Sequence, residues 1–320
     1  MTLTNMAFSA AHGKSQAALH GQLDAYNRWR LSPGLDLPVD AEWRAGSALD
    51  DDAPLRAIEI AFIEAERASV RERAATAPRD ADAFVAWFAA LALDGPGQND
   101  ALFPWLEHEA TRAEMTWFLR QEVAGEAGFD DLVALTQVKM PTRAKLELAR
   151  NYWDEMGQGH EGGMHGPMLS RLAEELGIAH PAADEVVWES LALANAMVAL
   201  AMNRRYAYAS IGALGVIELT APGRAVHVNA GLKRLDVHGE ARRYFALHAT
   251  LDVKHSEAWN REVIHPLVAA DPRTAQLIAE GALMRLTAGA RCFERYRKEL
   301  WTGGARASGA LHESKRDAVP

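Results

Sequence analysis

Residues 248–255 carry two histidines and an aspartate at a spacing that could bind a metal ion. The pattern is HxxxDxxH, with His248, Asp252 and His255 as its members. On a helix that turns about 100° per residue, these offsets place the three side chains within roughly 60° of one another. Two imidazoles and a carboxylate suit Fe(II) and leave coordination positions open for dioxygen or substrate. A hydrogen-bonded polar cluster on a half-buried surface would have the same spacing, so other helices must supply the rest of a metal site.

A second candidate region lies at residues 151–165, where acidic and imidazole side chains surround four glycines. Glycine destabilises a helix interior by about 1 kcal/mol per site relative to alanine, so a continuous helix here would be weak. One interpretation is therefore a helix that ends at Gly157, a surface loop and a second helix from Met164.

Two other interpretations of the same region bring ligands together. A continuous helix would align Asp154, Glu161 and His165 on one face. A local bulge would instead allow Glu155 and His165 to converge, and such distortions are common at functional sites. The spacing alone leaves these alternatives open.

Isolated carboxylates add further candidates. Glu218 lies between apolar neighbours, and glutamate is rarely buried unless it is paired or bound to a metal. Glu122 and Glu126 are four residues apart and would share a helical face, although two solvent-exposed glutamates would have the same spacing. The remaining histidines are interpreted as surface residues: His12, His20, His108, His160, His180, His227, His238, His265 and His312.

Helical periodicity covers most of the chain, and no segment has a convincing strand pattern. The predicted helices are 53–75, 81–93, 102–126, 129–139, 143–157, 167–176, 183–208, 211–219, 224–235, 240–263 and 273–301. We therefore predict a single all-α domain over residues 51–302. Residues 1–50 are predicted to form a loose arm with one helix around residues 20–30, and the polar, glycine-rich residues 303–320 a disordered tail.

Composition excludes several classes of protein. The formal net charge is -9 and the basic residues are dispersed, which argues against nucleic acid as a partner. The only cysteine, Cys292, permits neither an intrachain disulfide nor a cysteine-rich metal site, as expected in the cytoplasm. The N-terminus lacks the features of a secretory signal. The most apolar run, residues 191–202, is shorter than the roughly 20 residues that span a bilayer, so it predicts a buried helix and no membrane partner.

Taken in order, these candidates resemble the haem-oxygenase-like di-iron oxidases and oxygenases, often described as iron-containing redox enzymes. That family is similar in having an acidic residue and a histidine close together, a lone glutamate on a later helix, and then HxxxDxxH. The corresponding residues here are Glu155, His165, Glu218, His248, Asp252 and His255. Some members add a carboxylate from the first core helix, for which Glu122 is the first choice and Glu126 the second. The resemblance runs over residues 105–259.

The resemblance implies a haem-oxygenase-like helical bundle, here with an extra N-terminal helical segment. It also implies two Fe(II) ions per chain and O2 as co-substrate for the oxidation of a small amine, amino acid or fatty acid. We expect Glu155, Asp252 and one histidine to hold one ion, and Glu218 with the remaining imidazoles to hold the other, with bridging carboxylates. A homodimer is compatible with such a bundle. Side chains that would line a substrate pocket are Trp153, Met156, Met164, Tyr208 and Phe245.

Other functions remain open. A cofactorless enzyme on the same frame, of the thiaminase or quinone-cofactor-biosynthesis type, would use the histidines and aspartate as an acid–base cluster. A helical binding protein would have neither metal nor turnover. A haem-degrading enzyme is less compatible, because no single axial histidine stands out.

Overall fold

The architecture is helical throughout the part of the chain that the structure, a computed structural model, describes. That part comprises residues 15–33, 52–178, 181 and 184–313, with side chains as far as residue 301. The α-helices in chain order are α1 (Gln16–Leu31), α2 (Ala53–Ala75), α3 (Ala81–Asp94), α4 (Leu102–His108), α5 (Arg112–Gly125), α6 (Phe129–Thr136), α7 (Thr142–Glu155), α8 (His165–Glu175), α9 (Trp188–Met202), α10 (Ala207–Arg234), α11 (Arg243–Ala258), α12 (His265–Ala270) and α13 (Thr274–Glu313). No strand occurs within these ranges, so the predicted all-α fold class is confirmed.

Helices α9, α10 and α13 pack against one another within the bundle. Helix α9 is buried on almost every side, which explains the continuous apolar run and confirms the predicted buried helix. Helix α10 packs along α13 and α11. At the α10–α13 crossing, a Cβ atom at Gly212 would lie 1.9 Å from the Ile278 carbonyl oxygen, and one at Gly281 would lie 1.8 Å from the Ala209 carbonyl oxygen. The backbones of α10 and α13 therefore approach so closely at these two positions that only glycine fits. None of the described helices is long and apolar enough to cross a membrane.

The segment predicted as one helix over residues 102–126 is two helices. Helix α4 ends at His108, and a new N-terminus forms at Thr111, whose hydroxyl accepts a hydrogen bond from the Glu114 amide. The Glu114 carboxylate binds the Thr111 amide in return, which completes a capping box. These two hydrogen bonds satisfy backbone N–H groups that have no partner within the helix. They therefore stabilise a new helix start at Thr111, where periodicity alone predicted one continuous helix.

The helices predicted over residues 211–219 and 224–235 are instead the single helix α10, with Pro222 in its interior. An interior proline disfavours a helix by about 3 kcal/mol or more. Here α10 is packed against α13, α11 and α4 along its length, and this packing outweighs the local preference. Because proline has no N–H, the carbonyl group of Glu218 loses its usual intrahelical partner.

A π-helical turn, Trp259–Ile264, follows α11 directly. The Trp259 indole donates a hydrogen bond to the Ile211 carbonyl oxygen at 3.2 Å. This contact ties α11 to the start of α10, and so fixes the relative position of two helices that carry predicted ligands.

The helix predicted within the N-terminal arm is α1. It packs against α9, with Leu19, His20 and Leu23 buried, so the prediction that His20 is a surface residue is wrong. His12, His180 and the side chain of His312 lie outside the described residues. Helix α13 continues to Glu313 and overlaps the segment predicted as a disordered tail. The division of the chain at residues 50 and 302 stays a prediction.

Candidate metal centre

Four helices bring the six predicted ligands to the same region of the bundle. Helix α7 carries Glu155, α8 carries His165, α10 carries Glu218, and α11 carries the remaining three. All are buried except His248, which is half-buried. The three residues on α11 share a face, as the HxxxDxxH spacing predicts.

The glycine-rich region is neither a continuous helix nor a bulge. Helix α7 ends at Glu155, two short 3-10 turns follow, and α8 begins at His165, as in the helix–loop–helix interpretation. Gly157 has a φ of 60°, and a Cβ atom there would lie 2.4 Å from the backbone of Gly163, so only glycine fits. The loop folds back so that His165 Nδ1 lies 2.6 Å from Glu155 Oε2. Glu155 and His165 therefore converge, as the bulge interpretation required, but a loop between two helices brings them together instead of a bulge.

The ligand atoms form two groups that share one residue. Glu155, His165 and His248 form the first group, and Glu155, Glu218 and His255 form the second. Within each group the possible ligand atoms lie within 4.8 Å of one another. This arrangement differs from the predicted division, since Glu218 is grouped with one imidazole rather than two and Asp252 belongs to neither group. Glu155 is central to both because it lies at the end of α7, between α8 and α10.

Several buried atoms in this cluster have no hydrogen-bond partner among the described residues. They are His165 Nδ1, His255 Nδ1 and Asp252 Oδ1. The short approach of His165 to Glu155 lacks hydrogen-bond geometry, and His255 Nδ1 faces Glu218 Oε2 at 3.4 Å in the same way. Unpaired buried polar atoms are rare in proteins. Imidazole nitrogens and carboxylate oxygens that face each other without a hydrogen bond are a suitable set of ligands for a divalent cation such as Fe(II).

Neighbouring groups orient the histidines. His248 Nδ1 donates to the Tyr244 carbonyl oxygen at 2.7 Å, which leaves Nε2 with its lone pair free. His255 Nε2 donates to Asp154 Oδ2 at 3.2 Å, so that Nδ1 is the nitrogen that faces Glu218. Such partners fix the tautomer and the ring orientation of metal-binding histidines. Sequence reasoning did not assign these roles, although Tyr244 lies one helical turn before His248.

Glu218 is held by an amide that sequence reasoning also missed. Asn151 Nδ2 donates to Glu218 Oε1 at 2.6 Å, with both side chains buried. Asn151 lies one turn before Glu155 on the buried face of α7, and that spacing is the signal that could have found it.

Burial and neighbouring charges shift the pKa values of several groups in the cluster. Burial, together with the charge of Glu218, raises the pKa of Glu155 well above its usual value and that of Asp252 to about 10. Burial lowers the pKa of His165 and of His248 to about 4. Burial also opposes the charged form of His255, but the adjacent carboxylates outweigh it and raise the pKa to about 9. Carboxylates that repel one another in this way are stabilised by a bound cation.

Glu122 and Glu126 lie outside both ligand groups. Glu122 Oε1 accepts a hydrogen bond from the Tyr296 hydroxyl at 3.1 Å, and Glu126 Oε1 accepts one from the Phe129 amide at 3.1 Å. Both line the cavity beside the cluster. A ligand role for Glu122 stays a prediction.

A cavity with about 170 Å³ of space for water opens onto the cluster. Its other walls are mainly aromatic and aliphatic. Of the side chains predicted to line a pocket, Phe245 does so, whereas Trp153 is 51% exposed and packs over Gly159. Met156, Met164 and Tyr208 are not among the lining residues.

An all-helical bundle with buried carboxylates and imidazoles from four helices defines the class of helical metal-binding proteins. A family model described as iron-containing redox enzyme matches residues 116–290, which is more than half of the chain and includes all six candidate ligands. The chain belongs to this haem-oxygenase-like family, and the resemblance inferred from the motifs is confirmed. At this level of description it is an iron-containing redox enzyme. Among curated proteins none matches it.

Proposed function

We propose that this chain is a non-haem di-iron enzyme that uses O2 to oxidise a small organic substrate. The observation that carries the proposal is the pair of ligand groups that share Glu155. A carboxylate common to two groups suits two metal ions side by side, as in other helical carboxylate proteins. Membership of an iron-containing redox family makes Fe(II) the expected metal.

The protein's own residues would hold two ions. His165 and His248 would bind on one side of Glu155, and Glu218 and His255 on the other. Asp252 has a buried oxygen without a partner and is the sixth proposed ligand. Bound iron would supply the electron transfer needed to react with dioxygen.

The surrounding residues position these ligands and shape the substrate site. Asp154 and the Tyr244 carbonyl hold two imidazoles in place, and Asn151 holds Glu218. The apolar walls of the cavity limit water near the cluster and favour a substrate with an apolar body. The substrate would approach the cluster from this cavity, because Glu155, His248 and Asp252 line it.

Anaerobic loading of the metal-free protein with Fe(II), followed by measurement of bound iron and of oxygen consumption, tests the proposal. We expect about two irons per chain and iron-dependent oxygen uptake. Asp252→Ala and His255→Ala should abolish that uptake while the protein remains helical by circular dichroism. Glu257→Ala is the control, since Glu257 lies on the exposed face of the same helix. Unchanged uptake in both ligand variants would show that the site assignment is wrong.

One observation favours a cofactorless enzyme as the second candidate. His255 lies between two carboxylates, Asp154 and Glu218, an arrangement that also suits proton transfer. On that hypothesis, turnover of the eventual substrate would continue after dialysis against a strong chelator. The di-iron proposal expects turnover to stop and to return on addition of Fe(II).

A further inference from the structure

Two arginines line the cavity beside the candidate metal centre, and neither is needed to hold the metal. Arg224 lies on α10 and Arg285 on α13. Both side chains are half-buried, and both are among the residues that line the cavity. Arginine is almost never enclosed in a protein without an acceptor for its donors.

The acceptors for these guanidinium groups are missing among the described residues. Neither has a carboxylate within 4.0 Å, and the buried Arg285 Nε has no hydrogen-bond partner. Arg224 Cζ lies 5.6 Å from the centre of the Phe293 ring, which is a cation–π contact and not a counter-ion. Burial and the charge of Arg285 lower the pKa of Arg224 to about 10. Two cations thus face the same space without a counter-ion in contact.

Two carboxylates of the cavity, Glu122 and Glu126, are already engaged by other donors. Glu122 is bound by the Tyr296 hydroxyl, and Glu126 by the Phe129 amide at the start of α6. Burial raises the pKa of both carboxyl groups, which reduces their tendency to carry charge. They therefore leave the donors of the two guanidinium groups available to a ligand.

Helix geometry sets the separation along α10 between Arg224 and Glu218, one of the proposed ligands. Glu218, Ala221, Arg224 and Val228 follow one another along the face of α10 that lines the cavity. At 1.5 Å per residue, Arg224 lies about 9 Å along the helix axis from Glu218. A molecule held at Arg224 would therefore need a body several carbons long to reach the cluster.

We propose that Arg224 and Arg285 bind the carboxylate of an organic acid whose apolar body extends along the cavity toward the metal centre. This inference rests on the proposed function and specifies its substrate class. A guanidinium fork matches the two oxygens of a carboxylate, and apolar walls match the body between the acid and the reacting carbon. The phenylalanines of the cavity, Phe103, Phe118, Phe129 and Phe245, would contact that body.

Calorimetric titration with matched pairs of probes tests the proposal on the full chain, both iron-loaded under anaerobic conditions and metal-free. The probes are phenylpropanoate, phenylbutanoate, hexanoate and octanoate, each paired with its neutral amide. At least one carboxylate should bind about ten- to hundredfold more tightly than its amide, as expected for charge-assisted hydrogen bonds. Arg224→Met and Arg285→Met should remove that preference in both forms of the protein. Arg79→Met, which changes the net charge equally at an exposed position of the chain, should retain it.

Three results would overturn the proposal. The first is a panel in which no carboxylate binds more tightly than its amide. The second is a preference that survives in both methionine variants. The third is a preference that depends on Asp252 rather than on the arginines, because the acid would then bind at the metal centre.

Folding of the variants is checked by circular dichroism. If a methionine variant does not fold, the preference for carboxylates over amides is measured in Arg224→Lys and Arg285→Lys instead. Lysine keeps the charge but loses the fork of donors, so part of the preference should disappear, and full retention in both would contradict the proposal.

Iron counted in the same variants separates this inference from the proposed function. Iron content should be unchanged in Arg224→Met. If the unaltered chain bound no iron but retained an arginine-dependent preference for carboxylates, the di-iron function would fail and the carboxylate site would stand.

Discussion

Asn151 Nδ2 donates a hydrogen bond to Glu218 Oε1 at 2.6 Å and links α7 to α10 inside the candidate metal centre. The bond leaves Glu218 Oε2 directed toward His255. Replacement by leucine, which has a similar volume, should free Glu218 to rotate and weaken iron binding about 10- to 100-fold, as typical for a lost supporting partner. Competition with a coloured chelator would measure the affinity.

Asn27→Leu is the matched control for that variant. Asn27 is also a buried amide that donates to a side-chain oxygen, that of Asn195, at 2.8 Å, but it lies on α1. Its loss should lower stability and leave iron affinity unchanged. Equal affinities for iron in the Asn151 variant and the unaltered chain would mean that Asn151 does not support a ligand.

Glu155 belongs to both ligand groups, so its replacement should have a larger effect than that of any one histidine. We expect Glu155→Ala to bind almost no iron, and His248→Ala and His255→Ala to keep up to one ion each. Metal analysis after gel filtration gives the number of ions per chain. Glu147→Ala is the control, because Glu147 is buried on the same face of α7 but pairs with Arg150. A Glu155 variant that still binds two ions would contradict the shared-ligand geometry.

Local spacing predicted the part of the site that lies on one helix. The three residues of the HxxxDxxH motif share a face because their offsets match the helical period. Glu155 and His165 could not be placed in this way, because the glycine turns between them end the period and their approach depends on how the loop folds back. Sequence analysis could only leave that approach as one of three alternatives.

Contacts between distant helices were beyond the reach of periodicity. Arg224 and Arg285 have the pattern of ordinary charged helix residues, and only the packing of α10 on α13 places both in one cavity. His20 was assigned to the surface for the same reason, since its burial depends on a partner helix far along the chain. Pro222 does disfavour a helix locally, but the packing of α10 against its neighbours outweighs this preference and the helix continues through it.

His20 should make the stability of the protein sensitive to acid. It is 1% exposed, its Nδ1 has no hydrogen-bond partner, and its ring stacks on Trp188 at 5.7 Å. Burial, with a smaller effect of Arg291, lowers its pKa from 6.5 to about 4. Above pH 6.5 the imidazole is neutral in both the folded and unfolded states, so its contribution to stability is complete. Between pH 6.5 and 4 only the unfolded state takes up the proton, so the free energy of unfolding falls, by about 3 kcal/mol at most.

Urea unfolding at several pH values measures this effect. The difference in unfolding free energy between the unaltered chain and His20→Gln should shrink as the pH falls toward 4. The same replacement at the exposed His160 serves as the control for the loss of an imidazole. A difference that does not depend on pH would mean that His20 can be protonated in the folded protein.

Gly281 should be essential to the close packing of α10 and α13. A Cβ atom there would lie 1.8 Å from the carbonyl oxygen of Ala209 and 2.6 Å from its Cα, and neither backbone atom can move without shifting a helix. Gly281→Ala should therefore lower the free energy of unfolding by about 1–3 kcal/mol or more, as overpacking does in well-packed cores.

Gly223→Ala is the control for that variant, because Gly223 lies within α10 and a Cβ atom there would meet no neighbouring side chain or helix within 4 Å. Alanine at this position should be neutral or should stabilise the helix by up to about 1 kcal/mol. Thermal and urea unfolding of both variants measure the contrast. A Gly281 variant as stable as the Gly223 variant would contradict this prediction. It would mean that α10 and α13 can move apart with little loss of free energy, and that the cavity between them is not held rigidly by their packing.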